Sequence, residues 1–489
     1  MPVARLDLQA MRSLGMRRLT VDSRAVRPGD TFVAYPGESR DGRDYIAQAI
    51  ANGATSVLWD AGDYRWNPRW RVPNLGVPQL RRQAGIIAGE VYGRPSAKLW
   101  TVGVTGTNGK TSCSQWIAQS LTRAKRKCAV IGTLGSGFPG RLNAQTNTTP
   151  DAVALHARMR ALVRAGAQAV SMEVSSHGLD QDRLAGIEFD IALLTNLTRD
   201  HLDYHGTMRR YQAAKAKLFR WPELSHAVLN LDDAFGRELA QCWKHKRAKV
   251  LGYGFQLRTK RAKATCVEGR NLRVSLDGVS FDIASPWGRA TLHSPLIGGF
   301  NAANLLGSLA TLLVSDVGLD QSVAMLEKVQ PVPGRMERYG GGRAPLVIVD
   351  YAHTPDALEK VLLGLRAAAG ARARLLCVFG CAGDRDKGKR PLMGAVASRH
   401  ADCVIITSDN PRSEDPAAII AEVAEGVSGK HEQIADRRQA IHFALARARR
   451  GDIVLIAGKG HERYQEILGV KRRYSDAAVV RAGLAGSAR

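Results

Sequence analysis

Short apolar runs alternate with helical patterns along most of this 489-residue chain. In the first hundred residues the apolar runs lie at 31–34 and 56–59, and the helical stretches lie at 45–51 and 80–91. Four further apolar runs, most of them separated by helical sequence, lie at 128–131, 169–172, 191–194 and 227–231. Parallel strands that helices cover on both faces have this pattern, so it predicts α/β domains with mostly parallel sheets.

Two later segments differ from this pattern. Residues 250–295 contain short alternating runs around Asp277-Gly278, at 272–276 and 279–283, which predict a β-hairpin and therefore a β insertion before a helix at 301–313. A second α/β series then begins, with predicted strands at 346–349, 375–379, 403–407 and 453–457. Helical sequence follows each of these strands, which predicts a second doubly wound domain.

A glycine-rich turn joins the apolar run 99–104 to the helical pattern 111–121. It reads Gly103-Val-Thr-Gly106-Thr107-Asn108-Gly109-Lys110-Thr111. The strict phosphate-loop pattern has a glycine where Val104 stands, so this turn is a variant, and a tight structural connection is the alternative. Such a loop binds phosphate through backbone N–H groups and the helix N-terminus, while Lys110 can neutralise the outer phosphates and Thr111 can ligate magnesium. The turn therefore predicts a nucleoside triphosphate site.

These patterns predict an α/β fold class with three domains. Residues 1–97 form a small N-terminal α/β domain, and residues 98–333 form a central P-loop ATPase-like domain with a mostly parallel sheet and a β insertion. Residues 334–489 form a C-terminal Rossmann-like domain.

Composition narrows the class of protein. The formal net charge of +25 and the pI near 10.1 suit anionic ligands, but the basic clusters at 244–263 and 471–473 lack interleaved aromatics, so we expect no nucleic-acid partner. Residues 1–22 lack the apolar core of a signal peptide, and no apolar run reaches membrane-spanning length. Seven cysteines without a CxxC pair predict reduced thiols. We therefore expect a cytoplasmic protein without a membrane span.

Several polar residues of the central domain suit catalysis or binding. Glu173 follows a predicted strand and suits either a magnesium ligand or a strand-end cap. His201 lies in a polar cluster after the next strand, where it could ligate or transfer protons, although a histidine in a turn is usually structural. Lys215 lies in a helical run, where a solvated lysine is the default. Asn301 and Asn304 share a helical face, which suits a base or ribose and equally suits capping.

In the C-terminal domain the unusual polar residues all fall just past predicted strand ends. They are Asp350, Gly383-Asp384-Arg385, Asp409-Asn-Pro-Arg412 and Gly458-Lys-Gly-His-Glu462. Open α/β sheets bind ligands at the carboxyl ends of their strands, so these residues predict a second binding region.

Taken together, the ordered motifs resemble those of the Mur ligase family along essentially the whole chain. The matching strings are Gly-Thr-Asn-Gly-Lys-Thr at 106–111, Asn147-Thr148-Thr149, Met-Glu-Val-Ser-Ser-His at 172–177, Asp200-His-Leu-Asp203, Asn301 with Asn304, Gly334-Arg335 and Asp350-Tyr-Ala-His353. The string Asp409-Asn-Pro-Arg412 resembles members that add diaminopimelate, whereas lysine-adding members differ at the arginine position.

The resemblance implies an ATP-dependent amide ligase. The expected reaction adds meso-2,6-diaminopimelate to the D-glutamate side-chain carboxylate of UDP-N-acetylmuramoyl-L-alanyl-D-glutamate through an acyl phosphate, in peptidoglycan precursor synthesis. The expected partners are these small molecules and ATP, the expected cofactors are Mg²⁺ and carbon dioxide as a carbamate on Lys215, and the expected assembly is a monomer.

The resemblance also implies roles for individual residues. Catalysis is assigned to Lys110, Glu173, His201, Lys215 and Arg335, and the metal ligands are Thr111, Glu173, His201 and the Lys215 carbamate. ATP binding is assigned to Gly106, Thr107, Asn108, Gly109, Lys110, Thr111, Asn301, Asn304, Arg335, Asp350 and His353. The UDP-sugar peptide is assigned to Ser23, Asn147, Thr148, Thr149, Ser175, Gln181 and Arg183. Diaminopimelate is assigned to Arg385, Asp409, Asn410, Pro411, Arg412, Gly458 and Glu462. Residues 38–40 depart from the family's uridine loop and receive no role.

Arg412 has a physical reason to discriminate between amino acids. Diaminopimelate carries a carboxylate beside its distal amine, and a guanidinium can bind that carboxylate through two parallel charge-assisted hydrogen bonds. The same group repels the bare ammonium of lysine. The alternatives are a lysine-adding relative, the related folylpolyglutamate synthetase and a basic nucleotide-dependent binding protein. Since phosphate and amino-acid sites fall on different domains, we also expect domain closure about a hinge at 332–334.

Overall fold

The computed structural model describes residues 11, 13–38, 40–145, 147–257, 266–369 and 373–486. Ser39 of the 38–40 loop and the end of the basic cluster 244–263 lie outside these residues. Three separate β-sheets of four, eleven and six strands carry the architecture, together with one two-stranded hairpin.

The first sheet is parallel throughout and has the order β1-β2-β3-β4. Its strands are β1 (Leu19–Thr20), β2 (Thr31–Ala34), β3 (Ser56–Asp60) and β4 (Asn74–Val77), and its helices are α1 (Ile46–Ala51) and α2 (Leu80–Val91). Short 3₁₀ helices span Ser23–Ala25, Gly42–Tyr45 and Pro95–Lys98.

The second sheet has the order β15-β14-β13-β12-β11-β10-β5-β9-β6-β7-β8. Its strands are β5 (Trp100–Thr105), β6 (Cys128–Gly132), β7 (Gly135–Phe138), β8 (Arg141–Asn143), β9 (Ala169–Glu173), β10 (Ile191–Leu194), β11 (His226–Asn230), β12 (Lys249–Gly254), β13 (Cys266–Ser275), β14 (Gly278–Ser285) and β15 (Gly288–Ser294). Its helices are α3 (Lys110–Arg123), α4 (Ala152–Arg164), α5 (Ser176–Asp180), α6 (Leu202–His205), α7 (Met208–Ala216), α8 (Ala234–Gln241), α9 (Gly299–Leu313) and α10 (Leu319–Leu326), with a 3₁₀ helix at Lys217–Arg220.

The strand that leads into the glycine-rich turn lies inside this sheet. β5 pairs in parallel with β9 on one side and with β10 on the other. Val102 and Val104 of β5 share a core with Cys113 and Ile117 of α3, so the turn is held between a buried strand and a buried helix. The predicted hairpin is present as β13 and β14. β13 pairs in parallel with β12, and β14 and β15 then extend the same sheet as antiparallel strands. A second antiparallel extension adds β7 and β8 to the predicted strand β6, and these two added strands had no counterpart in the sequence pattern.

The third sheet has the order β16-β17-β21-β18-β19-β20 and is parallel except for β16. Its strands are β16 (Glu337–Gly340), β17 (Leu346–Asp350), β18 (Leu375–Phe379), β19 (Cys403–Thr407), β20 (Glu432–Ile434) and β21 (Ile453–Ala457), and the separate hairpin is β22 (Tyr464–Ile467) and β23 (Val470–Arg473). Its helices are α11 (Pro355–Ala369), α12 (Lys389–His400), α13 (Pro416–Ala424), α14 (Arg437–Arg447) and α15 (Asp476–Gly486).

The three sheets confirm the predicted α/β class. The third sheet places β17, β21 and β18 side by side, so the polar segments that follow these strands meet at one edge. Ile297 and Phe300, which precede and begin α9, pack against the core of the third sheet and join it to the central domain. Within the described residues, no helix is both long and apolar enough to cross a membrane.

Candidate active site

The glycine-rich turn can be built only from glycine at two of its positions. Gly106 and Gly109 have φ angles of 150° and 85°, a region that other residues rarely adopt. A Cβ at Gly106 would lie 1.9 Å from Thr195 Oγ1, and one at Gly109 would lie 2.5 Å from Asn304 Oδ1. The turn is therefore held tightly against the residues that follow β10 and against α9.

Lys110 begins α3 and folds back over the turn. Its Nζ donates to the backbone oxygens of Gly106 and Thr107, each at 2.8 Å. Burial lowers the pKa of Lys110, while the nearby carboxylates of Glu173 and Asp200 oppose that shift. Carbonyl oxygens carry no net charge, so the ammonium remains available to an anionic ligand.

Glu173 ends β9 beside the turn, and neutral groups hold its carboxylate. Thr111 Oγ1 donates to Oε2 at 2.9 Å, and Thr133 donates from its backbone nitrogen to Oε1 at 2.7 Å and from its hydroxyl to Oε2 at 3.1 Å. Arg335 reaches the same place from the third domain, because its Nη2 donates to Thr111 Oγ1 at 3.3 Å. Its guanidinium lies 4.3 Å from the ring centroid of Tyr351. Arg335 thus links the phosphate loop to the start of the C-terminal domain.

Lys215 does not have the solvated environment that its helical run alone suggested. It is only 1% exposed, and its Nζ donates to Gly106 O at 2.8 Å and lies 4.6 Å from the Tyr211 ring centroid. Burial lowers its pKa well below the usual lysine value, and the positive charge of Lys110 lowers it further. A larger share of this amine is therefore neutral at neutral pH than in an exposed lysine.

His201 occupies a left-handed backbone conformation with φ 55°. Its Nε2 lies 3.3 Å from Asp200 Oδ2, and its ring lies edge-on to His177 with centroids 4.8 Å apart. Burial lowers the pKa of His201 in spite of the opposing Asp200 charge, so its imidazole is neutral at neutral pH. A neutral imidazole has a nitrogen lone pair that can bind a metal ion.

A cavity of about 180 Å³ lies between the phosphate loop, α9 and the start of the C-terminal domain. The predicted ATP residues that line it are Asn108, Gly109, Thr111, Asn301, Asn304, Arg335 and Asp350. Asp350 accepts from the backbone nitrogens of Met336 and Ala352, both at 2.8 Å, and burial raises its pKa. His353 follows the lining residue Ala352, and its Nδ1 contacts Tyr351 O at 2.8 Å.

The predicted UDP-sugar residues of the central domain meet around Thr149. Thr149 Oγ1 donates to Glu173 O at 3.1 Å, and its own backbone oxygen accepts from Arg183 at 2.9 Å. Ser175 contacts the Thr149 hydroxyl through both its backbone nitrogen and its side chain, and Arg183 also donates to Gln181. Burial lowers the pKa of Arg183. This network connects directly to the strand end that carries Glu173.

The remaining predicted UDP-sugar residues lie outside this hydrogen-bond network. The Thr148 hydroxyl contacts that of Thr133 at 3.1 Å, and Asn147 is exposed. Ser23 is buried in the first domain, where it donates to Gln48 at 2.7 Å. An open cleft of about 530 Å³ lies between the first and central domains. Its lining residues are Glu38, Gln79, Arg81, Arg82, Asp180, Asp182 and Tyr204.

The predicted amino-acid residues meet around a buried lysine that the sequence did not single out. Lys459 is fully buried, and its Nζ donates to Asn410 Oδ1 and Glu462 Oε2, both at 2.9 Å, and lies 3.6 Å from Asp409 Oδ1. Asn410 Nδ2 also donates to Glu462 Oε2 at 2.8 Å. Gly458 has to be glycine here, because a Cβ would lie 2.7 Å from Asp409 Oδ2. The sequence therefore identified the carboxylates and amide of this cluster but missed the cation that holds them.

Hydrogen bonds of both its backbone and its side chain hold Arg412 in the same region. Its φ is 53°, its backbone nitrogen donates to Glu466 O at 3.0 Å, and its backbone oxygen accepts from Leu468 of the β22–β23 hairpin at 2.6 Å. Its Nη1 donates to Gly383 O at 2.6 Å. Pro411 lies between Asn410 and Arg412 and is buried, whereas Arg385 points outward and donates weakly to Asp384 O at 3.5 Å.

Asp356 is a second residue that sequence reasoning missed. Its Oδ2 accepts from Asn108 and Thr198 of the central domain, each at 3.2 Å, and from Lys360 at 3.0 Å. It lies in the first turn of α11, where an acidic residue is ordinarily explained by the helix dipole, so the sequence held no distinguishing signal.

Comparison with known proteins identifies the class. The chain matches family models described as the Mur ligase family catalytic domain over residues 16–92, the Mur ligase middle domain over 104–312 and the Mur ligase glutamate ligase domain over 334–460. The chain belongs to the Mur ligase family and is an ATP-dependent ligase, which confirms the resemblance and the predicted enzyme class.

Individual relatives match over nearly the whole chain. A protein of Chromobacterium violaceum is 52% identical over 482 residues, with 98% of this chain and 96% of that protein covered, and one of Nitrosomonas europaea is 54% identical over 481 residues, with 95% and 92% covered. Both are named UDP-N-acetylmuramoyl-L-alanyl-D-glutamate–2,6-diaminopimelate ligase. A solved structure of a ligase of that name matches with a TM-score of 0.69 and 38% identity over 97% of this chain and 96% of the other.

Proposed function

We propose that this chain adds meso-2,6-diaminopimelate to the D-glutamate side-chain carboxylate of UDP-N-acetylmuramoyl-L-alanyl-D-glutamate, with ATP converted to ADP and phosphate. The observation that carries the proposal is Arg412 beside Asn410 and Glu462, at the carboxyl ends of β19 and β21, the two strands that flank β18. The names of the relatives support it. The proposed setting is cytoplasmic peptidoglycan precursor synthesis by a monomer.

ATP is proposed to occupy the cavity beside the phosphate loop, with its phosphates over the turn. The triphosphate and the D-glutamate carboxylate repel each other, so positive charge has to lie between them. Lys110 and Arg335 supply that charge, from the central domain and from the C-terminal domain. The carboxylate oxygen then attacks the γ-phosphorus, the bond to ADP breaks, and an acyl phosphate forms.

The second step joins the amino acid. The neutral amine of diaminopimelate attacks the acyl carbon, phosphate leaves, and the amine loses a proton as the amide forms. Arg412 binds the distal carboxylate and Glu462 binds the distal ammonium, so the reacting amine points toward the central domain. Arg183 and Thr149 hold the sugar-peptide beside Glu173.

The donor set of the site fits magnesium. Thr111 Oγ1 and the Glu173 carboxylate supply oxygen donors 2.9 Å apart beside the turn, and the neutral nitrogen of His201 is proposed as a further ligand. Among the described residues no group of three or more His, Cys, Asp or Glu side chains could hold a metal ion by itself. When bound, Mg²⁺ would stabilise negative charge on the phosphate oxygens.

Lys215 is proposed to carry a carbamate formed with carbon dioxide. Its buried amine has a strongly lowered pKa and lies against the phosphate loop, and only a neutral amine can attack carbon dioxide. The carbamate would convert this position from a cation into an anionic oxygen donor for a metal ion.

The test offers two amino acids to one enzyme. The chain is incubated with ATP, Mg²⁺ and UDP-N-acetylmuramoyl-L-alanyl-D-glutamate, with meso-diaminopimelate or L-lysine in parallel, and product mass and phosphate release are measured. We expect a tripeptide product with diaminopimelate and a preference over lysine of about 10⁴-fold. Arg412→Lys should erase most of this preference, and Arg366→Lys, on the opposite side of the same domain, serves as the control. Equal use of both amino acids would overturn the proposed specificity, and no product with either would overturn the proposed reaction.

A further inference from the structure

The two loops that carry Arg385 and Arg412 are joined by a buried arginine. Arg390 lies in the first turn of α12, between the two loops in sequence, and its side chain is fully buried. Its Nη1 donates to Glu414 Oε2 at 2.9 Å and its Nη2 donates to Glu414 Oε1 at 2.9 Å, so the pair is bidentate. Nη1 also donates to Glu422 Oε2 at 2.8 Å.

Glu414 also contacts the loop that follows β18. Its Oε1 accepts from the backbone nitrogen of Asp384 at 2.6 Å, and Arg390 itself donates to Ala382 O at 3.3 Å. Asp384 in turn accepts from the Ser413 hydroxyl at 2.6 Å. One guanidinium and one carboxylate therefore fix both loops with respect to each other, because each loop contacts both groups.

Arg412 meets that arrangement at two points. Its side chain donates to Gly383 O, which precedes Asp384, and its backbone, with the unfavourable φ of 53°, continues directly into Ser413 and Glu414. The β22–β23 hairpin holds the same residue from the other side, through backbone hydrogen bonds to Glu466 and Leu468 and a 3.7 Å approach of Glu466 Oε2 to Arg412 Nε. A non-glycine residue keeps such a conformation only where its surroundings enforce it. A long arginine side chain left without such partners would also sample many rotamers before it could bind a ligand.

On the basis of the proposed function, we propose that Arg390 and Glu414 are positioning residues that set the direction of the Arg412 guanidinium and thereby the preference for an amino acid with a distal carboxylate. They do so through Asp384, Gly383 and the backbone of 412–414. The bidentate geometry also explains why a fork-shaped guanidinium is needed here, since a lysine could contact only one carboxylate oxygen at a time.

A matched ion pair at the opposite edge of the same sheet provides the control. Arg374 donates to Asp452 at 2.6 Å and 3.2 Å, just before β18 and β21 begin, so it stabilises the same sheet far from the amino-acid loops. Asp452→Asn should therefore lower thermal stability without changing the choice of amino acid.

The experiment compares wild type, Glu414→Gln, Arg390→Lys and Asp452→Asn in steady-state assays at a temperature where all four are folded. We expect Glu414→Gln to raise KM for diaminopimelate by about tenfold to a hundredfold and to reduce the preference over lysine by a similar factor. Arg390→Lys, which keeps the charge but loses the fork, should fall between wild type and Glu414→Gln. The kcat at saturating diaminopimelate and KM for ATP should stay within about threefold of wild type in both variants, because the phosphate loop is untouched.

Glu414→Gln in an Arg412→Lys background gives a second, independent readout. If Glu414 acts through Arg412, the added substitution should change KM for diaminopimelate by less than about threefold there, because interacting sites are not additive. Additive effects, or a Glu414→Gln variant that loses stability like Asp452→Asn and keeps its preference, would overturn the inference. Absence of product with the wild type would instead overturn the proposed function, and the inference with it.

Discussion

Charged side chains have different hydrogen-bond partners at the two ends of the proposed active site, the phosphate loop and the amino-acid loops. At the phosphate loop, the ammonium groups of Lys110 and Lys215 donate to backbone carbonyl oxygens, and the Glu173 carboxylate accepts from hydroxyls and a backbone nitrogen. At the amino-acid loops, the cations Lys459 and Arg390 instead donate to carboxylates of the chain itself.

This difference matches what each end is proposed to bind. Charged groups that donate to or accept from neutral groups have no direct ion-pair partner, so they favour a highly charged ligand such as a triphosphate with its cation. Charges that are already paired inside the protein create no strong net electric field. They therefore favour a zwitterion, in which each charged group forms its own hydrogen bonds with the protein. The same residue types are thus proposed to bind through net charge at the phosphate loop and through the direction of individual hydrogen bonds at the amino-acid loops.

The largest effect should come from removing a phosphate-loop charge. Lys110→Met is expected to lower kcat/KM by about a hundredfold to a thousandfold, because transition-state charge loses a preorganised cation. Phosphate release with all three substrates measures it. Lys246→Met removes an exposed lysine and should leave the rate unchanged. If Lys110→Met kept wild-type activity, the proposed difference between the charges of the phosphate loop and those of the amino-acid loops would be wrong.

Displacing the Glu173 carboxylate without changing its charge sharpens the comparison. A Cβ at Gly132 would lie 2.2 Å from Glu173 Oε1, so Gly132→Ala should push the carboxylate away from Thr111 and Thr133. We expect activity to fall by about tenfold to a hundredfold, measured as product formation over a range of Mg²⁺ concentrations. Gly318→Ala, where a Cβ would meet nothing within 4 Å, is the matched control. Equal activity in both variants would show that the position of this carboxylate is unimportant.

Lys215 should reduce stability in a pH-dependent way. Burial lowers its folded-state pKa, so between that pKa and the unfolded value near 10.5 the unfolded chain binds a proton that the folded chain does not. Wild-type stability should therefore rise with pH across this window. In buffer free of carbon dioxide, Lys215→Met should raise the free energy of unfolding at neutral pH, with a gain that shrinks toward pH 10.5.

Urea titrations across this pH range measure that difference, with Lys246→Met as the exposed control. Activity of Lys215→Met should be lost at every pH. A stability difference that does not vary with pH would mean that the buried amine keeps its proton in the folded protein.

The smallest effect should come from the contact of Asp356, in the C-terminal domain, with Asn108 and Thr198 of the central domain. Asp356→Asn keeps the shape but weakens the acceptor shared by Asn108 and Thr198. Because this carboxylate is partly exposed, we expect KM for ATP to change by only about threefold or less, and less still at high salt. Kinetics with varied ATP measure it, and Asp320→Asn, an exposed change in α10, is the control. A loss comparable to that of Lys110→Met would place part of the catalytic charge at this contact.

Buried strands were predictable from the sequence because they are continuous apolar runs. The predicted runs at 191–194, 375–379, 403–407 and 453–457 coincide with β10, β18, β19 and β21. The β7–β8 and β22–β23 strands were missed, since Gly135-Ser-Gly-Phe138 and residues 464–473 show no buried apolar face. Antiparallel strands such as these are defined by pairing with a neighbour, which single-sequence patterns do not encode.

The site divides in the same way. The phosphate loop is local in sequence, so its glycines, Lys110 and Thr111 were recognisable from their spacing. The contacts of Lys459 with Asn410 and of Arg390 with Glu414 span 49 and 24 residues and involve charged side chains that a sequence alone places on the surface. The ligand roles of individual residues stay predictions until the variants above are measured.

The hydrogen bonds between β22–β23 and the Arg412 loop also have a consequence for synthesis on the ribosome. Residues 464–473 are translated long after the phosphate loop, yet Glu466 and Leu468 supply both backbone partners of Arg412. Because domains fold as they emerge from the ribosome, a nascent chain can form its phosphate loop well before its amino-acid pocket. A translation product that stops before β22 would therefore carry the phosphate loop while lacking the backbone partners of Arg412.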